Sequence, residues 1–146
     1  MRRGLHRVRD IMERRRPVVA SPEETVQAAA ARMTEEACGS VLVCDDDRLR
    51  GILTERDLMT RVVGRGLDPK TTRIEQVMTH DPDRIESTAT AREALRRMDE
   101  LGCRHLPVTE DGRVLGVVSL RDLPIETVAE ALPELERRRV LAERMW

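Results

Sequence analysis

From residue 26 the apolar positions recur at helical spacing. Val26, Ala29, Ala30, Met33 and Ala37 line one face of a helix with a 3.6-residue period. Ser21-Pro22-Glu23-Glu24 in front of them reads as its start, with Ser as N-cap, Pro at the first helical position and Glu at the third. The pattern then shortens to Ser40-Val41-Leu42-Val43, an apolar run of strand length. A polar turn, Asp45-Asp46-Asp47, follows. A second strand ends at Leu53, a helix begins at Thr54, and Gly64 and Gly66 close it before Asp68-Pro69.

The same order returns further along. Ala94, Leu95, Met98 and Leu101 take the helix, and His105-Leu106-Pro107-Val108 the first strand. Glu110-Asp111-Gly112 is the turn, a second strand ends at Val118, and a helix begins at Ser119. At an offset of 65, residues 17–63 align with 82–128 without a gap, and 15 of the 47 positions are identical. One extra residue in the first copy brings Val8-Arg9-Asp10-Ile11-Met12 opposite Ile74-Glu75-Gln76-Val77-Met78. The chain is therefore two copies of one unit: a short lead helix, then strand, helix, strand, strand, helix. The boundaries read as 8–66 and 73–128, the two copies forming one module. A C-terminal helix over 129–146 follows, read as capped at Pro133-Glu134.

Composition narrows the function classes. The chain has 146 residues, 36% charged and 40% apolar, a globular balance. A net charge of −1 gives no general pull on nucleic acid or anionic membrane. There is no Phe or Tyr and one Trp, so aromatic platforms for stacking bases are missing and nucleic acid is not an expected partner. Arg14-Arg15-Arg16 could draw anions to a cleft mouth, whereas Arg137-Arg138-Arg139 is interleaved with Glu134, Glu136 and Glu143 and reads as a solvated helix face. Met1 to Asp10 is basic with no apolar run behind it, and no stretch has membrane-helix length. With three cysteines, an odd number, reduced thiols and a cytoplasmic location are expected. No histidine stands at metal-ligand spacing from those cysteines, and no nucleophile–base pair or Walker loop is visible, so neither a metal nor an enzymatic activity is expected.

The chemistry concentrates where each second strand ends. Gly51-Ile52-Leu53-Thr54-Glu55-Arg56-Asp57 is matched by Gly116-Val117-Val118-Ser119-Leu120-Arg121-Asp122. A hydroxyl and a carboxylate three residues apart at a strand-to-helix junction have the spacing of a capping box. The same groups suit a ribose phosphate, because an acidic side chain can take both hydroxyls of a vicinal diol and a hydroxyl can join backbone amides around phosphate. Both readings stand on the residues alone.

The tandem repeat, the order of its elements and the two Gly-aliphatic-aliphatic-(Ser/Thr)-x-x-Asp copies resemble a CBS-domain pair, or Bateman module, over roughly residues 8–128. In outline the chain is similar to small stand-alone bacterial CBS-domain proteins. The resemblance implies an α+β fold with two β-α-β-β-α repeats about a pseudo-twofold axis. It implies two clefts for adenosine-type ligands: AMP, ADP or ATP, and in some members S-adenosylmethionine or NAD. In each cleft the Asp of one repeat would hold the ribose and the other repeat would supply backbone contacts to adenine. Carried over residue by residue, Ser119, Arg121 and Asp122 would join Val18, Val19, Ala20, Gly39, Ser40 and Val41 in one cleft. Thr54, Arg56 and Asp57 would join Arg84, Ile85, Arg104, His105, Leu106 and Pro107 in the other. Arg104 suits phosphate as a permanent cation, and His105 could add pH-dependent charge. The first copy has Gly39-Ser40 in their place, and Glu55 stands beside Thr54, so unequal affinities are expected. The resemblance also implies a regulatory module with no required cofactor, which forms a homodimer and signals to an effector protein. The alternatives are an interaction module with empty clefts, a nucleic-acid-binding CBS protein, and an enzyme of unrecognised type.

Overall fold

The computed structural model describes residues 6–12 and 17–144, the last eight by backbone alone. The run Arg14-Arg15-Arg16 and the side chains of Arg137-Arg138-Arg139 lie outside the described residues.

The first repeat contains β1 (Val19–Ala20), α2 (Val26–Glu35), β2 (Ser40–Asp45), β3 (Arg48–Thr54) and α3 (Glu55–Asp57), preceded by the lead helix α1 (Val8–Ile11). Leu58–Val63 continue α3 as a π-helix, closed where Gly64 N donates to Met59 O at 2.7 Å. The second repeat opens on a 3-10 turn, Ile74–Gln76, and β4 (Thr79–His80). It continues with β5 (Ile85–Glu86), α4 (Ala91–Leu101), β6 (His105–Glu110) and β7 (Arg113–Ser119). A 3-10 turn, Leu120–Asp122, leads into α5 (Ile125–Arg144).

Two small sheets result, ordered β1-β2-β3-β4 and β5-β6-β7. The pairing repeats too: β1 lies parallel to β2 and β5 to β6, while β2 and β3, like β6 and β7, are antiparallel with a bulge at matching positions. Antiparallel neighbours need only the tight turns at Asp46 and Asp111, both in the left-handed region. The parallel pairs need the crossovers that α2 and α4 supply.

Three helix boundaries differ from the sequence reading. Residues 21–24 form a turn, held by Ser21 N donating to Glu24 Oε2 at 2.7 Å and by an Arg32–Glu24 ion pair. The helix starts four residues later, capped by Thr25 Oγ1, which accepts from Ala28 N at 3.2 Å. Thr90 does the same for α4, accepting from Glu93 N at 3.2 Å. The helix beginning at Ser119 is a single 3-10 turn, because Pro124 has no N–H with which to continue it. Beyond that, α5 runs through Pro133 without a break, so the expected helix start at Pro133-Glu134 is interior to one helix.

The lead segments are exchanged. Val8 N donates to Ala89 O (2.8 Å), Arg9 N to Ser87 O (3.0 Å) and Ala91 N to His6 O (2.8 Å), so α1 sits on the second repeat. The mirror set, Ile74 N to Glu24 O (2.9 Å), Glu75 N to Pro22 O (3.1 Å) and Val26 N to Thr72 O (2.9 Å), holds the Ile74 turn on the first. The cores follow. Val8 and Met12 pack with Ile85, Leu95, Met98, Leu106 and Val118, while Ile74, Val77 and Met78 pack with Val26, Met33, Val41 and Leu53. A third cluster, Leu42, Leu49 and Ile52 against Val114 and Val117, joins the two sheets.

Candidate functional site

Strand alternation sends Leu53 and Val118 into the cores and leaves the next residue, Thr54 or Ser119, at the sheet end. There the backbone of each motif is tied to the start of the neighbouring strand. Glu55 N donates to Gly39 O at 3.1 Å, and Leu120 N to Arg104 O at 2.9 Å. Ser40 pairs with Thr54, and His105 with Ser119. Both motifs and both strand starts therefore open onto one cavity of about 1240 Å³ between the repeats.

Thirteen of the eighteen residues expected at ligand sites line this cavity. They are Val18, Gly39, Ser40, Thr54, Arg56, Asp57, Arg104, His105, Leu106, Pro107, Ser119, Arg121 and Asp122. Five do not. Ala20, Val41 and Ile85 alternate inward and are buried in the cores; Val19 points outward. Arg84 is held away, with Nη2 3.3 Å from both Leu49 O and Asp81 Oδ1. Ile52 and Val117 add an apolar wall that the sequence reading did not assign. Each stands two residues before the motif hydroxyl, so period-two alternation puts them on the same sheet face. Arg61 joins from one turn beyond Asp57.

The capping geometry is formed at both motifs, with a difference in strength. Asp57 Oδ2 accepts from Thr54 N (2.9 Å) and Thr54 Oγ1 (3.0 Å), and Thr54 Oγ1 accepts from Asp57 N at 3.3 Å. Asp57 Oδ1 faces Arg61 Nε at 3.8 Å, and the residue is 9% exposed. Asp122 Oδ2 accepts from Ser119 N at 2.8 Å, and the side chain is only half-buried. Glu126 stands where the first copy has Arg61.

Near the centre, a methyl group built on Gly39 would lie 3.1 Å from Glu55 Oε1 and 3.2 Å from His105 Nε2. The absent side chain lets an acid of one repeat and an imidazole of the other approach the same point. Burial pushes the His105 imidazole below its ordinary pKa; Glu55 and Asp122 oppose that push, and Arg104 and Arg121 add to it. Cys103, which also lines the cavity, has its thiol pushed up by burial. Among the described residues no group of three or more His, Cys, Asp and Glu could hold a metal ion, and no helix is long and apolar enough to cross a membrane.

The comparisons with known proteins agree with this geometry. The sequence model of the CBS domain matches residues 8–64 and 74–123. Hypoxic response protein 1 of Mycobacterium tuberculosis is 36% identical over 112 residues, covering 76% of this chain and 75% of that protein. A crystal structure of hypoxic response protein I holds two coordinated zinc ions; it is 35% identical, with a TM-score of 0.69 over 80% of this chain and 94% of that one. A CBS-domain protein from Burkholderia ambifaria is 34% identical, with a TM-score of 0.73 over 80% of this chain and 85% of that one. PAE2072 from Pyrobaculum aerophilum, solved in complex with AMP, shares the fold at a TM-score of 0.76 and 24% identity, over 90% of this chain and 98% of that one. The doubled β-α-β-β-α unit, the paired motifs at one inter-repeat cavity and the two family matches together make this chain a member of the CBS domain family, carrying a tandem CBS pair.

Proposed function

We propose that the pair binds an adenine nucleotide (AMP, ADP or ATP) in the cavity between its repeats and reports occupancy to a partner protein without consuming the ligand. The observation that carries this reading is the convergence on one cavity of two hydroxyl–carboxylate motifs with Arg56, Arg104, Arg121 and His105. Carboxylates suit a ribose diol, guanidinium groups suit phosphate, and Ile52, Leu106, Pro107 and Val117 supply an apolar wall for a base. S-adenosylmethionine and NAD carry the same adenosyl group and compete for the same place. The AMP complex of PAE2072 supports the ligand class at the level of the shared fold. The zinc of hypoxic response protein I is not carried over, given the lack of a donor cluster among the described residues.

One observation favours a second reading, an interaction module with empty clefts. Both capping boxes have a structural job whether or not a ligand is present. Calorimetry of the purified chain with AMP, ADP and ATP separates the two. Binding of at least one is expected, and binding of none favours the empty module. Incubation with ATP and magnesium should release no ADP, AMP or phosphate. Turnover that persists through purification and is lost with Asp122→Asn would make the protein an enzyme.

A further inference from the structure

The two motifs are near-copies in sequence, yet the structure commits them differently. Asp57 is buried, its Oδ2 takes two bonds from Thr54, and its Oδ1 faces Arg61, which is itself anchored through Nη1 to Val77 O (3.0 Å) and Met78 O (3.1 Å). Beside it, Glu55 brings a carboxylate over Gly39 to the imidazole of His105. In the second copy Leu120 stands in place of Glu55 and Glu126 in place of Arg61. Asp122 is half-buried, and among the described residues its carboxylate accepts one bond, from Ser119 N, against the two that Asp57 accepts from Thr54.

We infer that the pair takes one phosphorylated adenosyl ligand per chain, on Asp122, and that Glu55 is the specificity-determining residue that closes the Asp57 half to phosphate. This rests on the nucleotide reading above and says which half is used and why. A ribose on Asp57 would have to displace Arg61 from a buried carboxylate. Its phosphate would then meet the Glu55 carboxylate within the same turn, and like charges placed side by side disfavour binding. The imidazole next to Glu55 offers little relief, because burial favours its neutral form. The Asp122 half has an apolar Leu120 at the matching point and keeps Arg121 in the lining.

The test transplants the acid. Leu120 is 37% exposed, so it tolerates a polar replacement. Leu120→Glu should weaken AMP at least about tenfold, the expected size of a like-charge contact, with an unchanged melting temperature. Leu120→Gln, equal in shape and uncharged, should keep most of the affinity. The parent should titrate with one AMP per chain. Two equal sites in the parent, or equal losses in the Glu and Gln variants, would overturn the inference and leave the nucleotide reading in place. A parent that binds no AMP, ADP or ATP would remove both. Should Leu120→Glu fail to fold, the parent's stoichiometry together with Glu55→Leu decides: a second AMP per chain in Glu55→Leu supports the inference, and two in the parent refutes it.

Discussion

The glycine that opens each motif explains how the exchanged lead segments hold the site, and it makes an unequal pair of mutants. Gly51 lies against Met78 of the Ile74 turn, and Gly116 against Met12 beside α1. A methyl group on Gly51 would meet Met78 Sδ, Met78 Cγ at 2.9 Å and the backbone carbonyl of Thr79 at 2.9 Å. The last is a neighbour in β4 that cannot rotate away, since Gly51 pairs with His80. On Gly116, among the described residues, the one conflict is the terminal methyl of Met12, at 2.7 Å, the far end of a flexible chain. Neither glycine has a positive φ, so Ala gains about 0.4–1 kcal/mol from a less free unfolded chain at both positions. Overpacking against fixed backbone costs about 1–3 kcal/mol. Gly51→Ala should therefore lose about 1–2 kcal/mol, a fall of roughly 3–8 °C in Tm, while Gly116→Ala should stay within about 0.5 kcal/mol of the parent. Urea denaturation of both variants measures this. A Gly51→Ala protein as stable as the parent, or a Gly116→Ala protein that loses more, would refute the packing assigned to the lead segments.

Other outcomes follow from single features. The folded pKa of His105 is lowered by burial, so its stabilising neutral form is fully present above the unfolded pKa of about 6.5 and is lost as pH falls through the lower folded value; stability should drop between pH 7.5 and 5.5, by less in His105→Gln, and an equal drop in the variant would contradict this. Thr90→Ala should cost about 1 kcal/mol as the loss of the true α4 cap, measured by chemical denaturation, and no loss would refute that assignment. Exposed Met59, Val63 and Ile125 leave apolar surface on the helices that follow the motifs, so light scattering should return a dimer mass; a monomer across micromolar concentrations would count against self-association.

Much of this architecture is readable from the chain because it is written twice. The offset of 65 pairs strand with strand, turn with turn and motif with motif, and each repeat has the predicted strand, helix, strand, strand order, with β4 an extra strand on the first sheet that the pattern did not show. What escaped was decided by competition between local signals. Ser21-Pro22-Glu23-Glu24 has the residues of a helix start, but Glu24 is drawn to Arg32 and the Ser21 amide, and the helix waits for Thr25. The repeat held that information, since Thr25 and Thr90 are identical at the offset while Ser21 faces Glu86. The exchange of the lead segments could not be read, because alignment says which residues correspond and not which copy they pack against. At the site, the motif residues and the strand starts named from the sequence line one cavity, while the side chains of Val19, Ala20, Val41, Arg84 and Ile85 turn to the cores or to solvent, in segments from which the analogy asks backbone contacts to a base. The different commitments of Asp57 and Asp122 arise from Arg61 and Glu55, residues outside the shared pattern.

The central claim is that a carboxylate at the second motif holds a ligand as well as a helix cap, and Asp122→Asn tests it most directly. Asparagine keeps an acceptor for Ser119 N and loses the charge, so the cap should weaken by about 1 kcal/mol or less. A charged hydrogen bond to a ribose hydroxyl is worth about 1.5–3 kcal/mol, so calorimetry with AMP should show an affinity loss of roughly 10- to 150-fold. The account predicts that loss with a melting temperature that moves by a few degrees at most. A variant that binds AMP as tightly as the parent and loses only the cap's share of stability would contradict it.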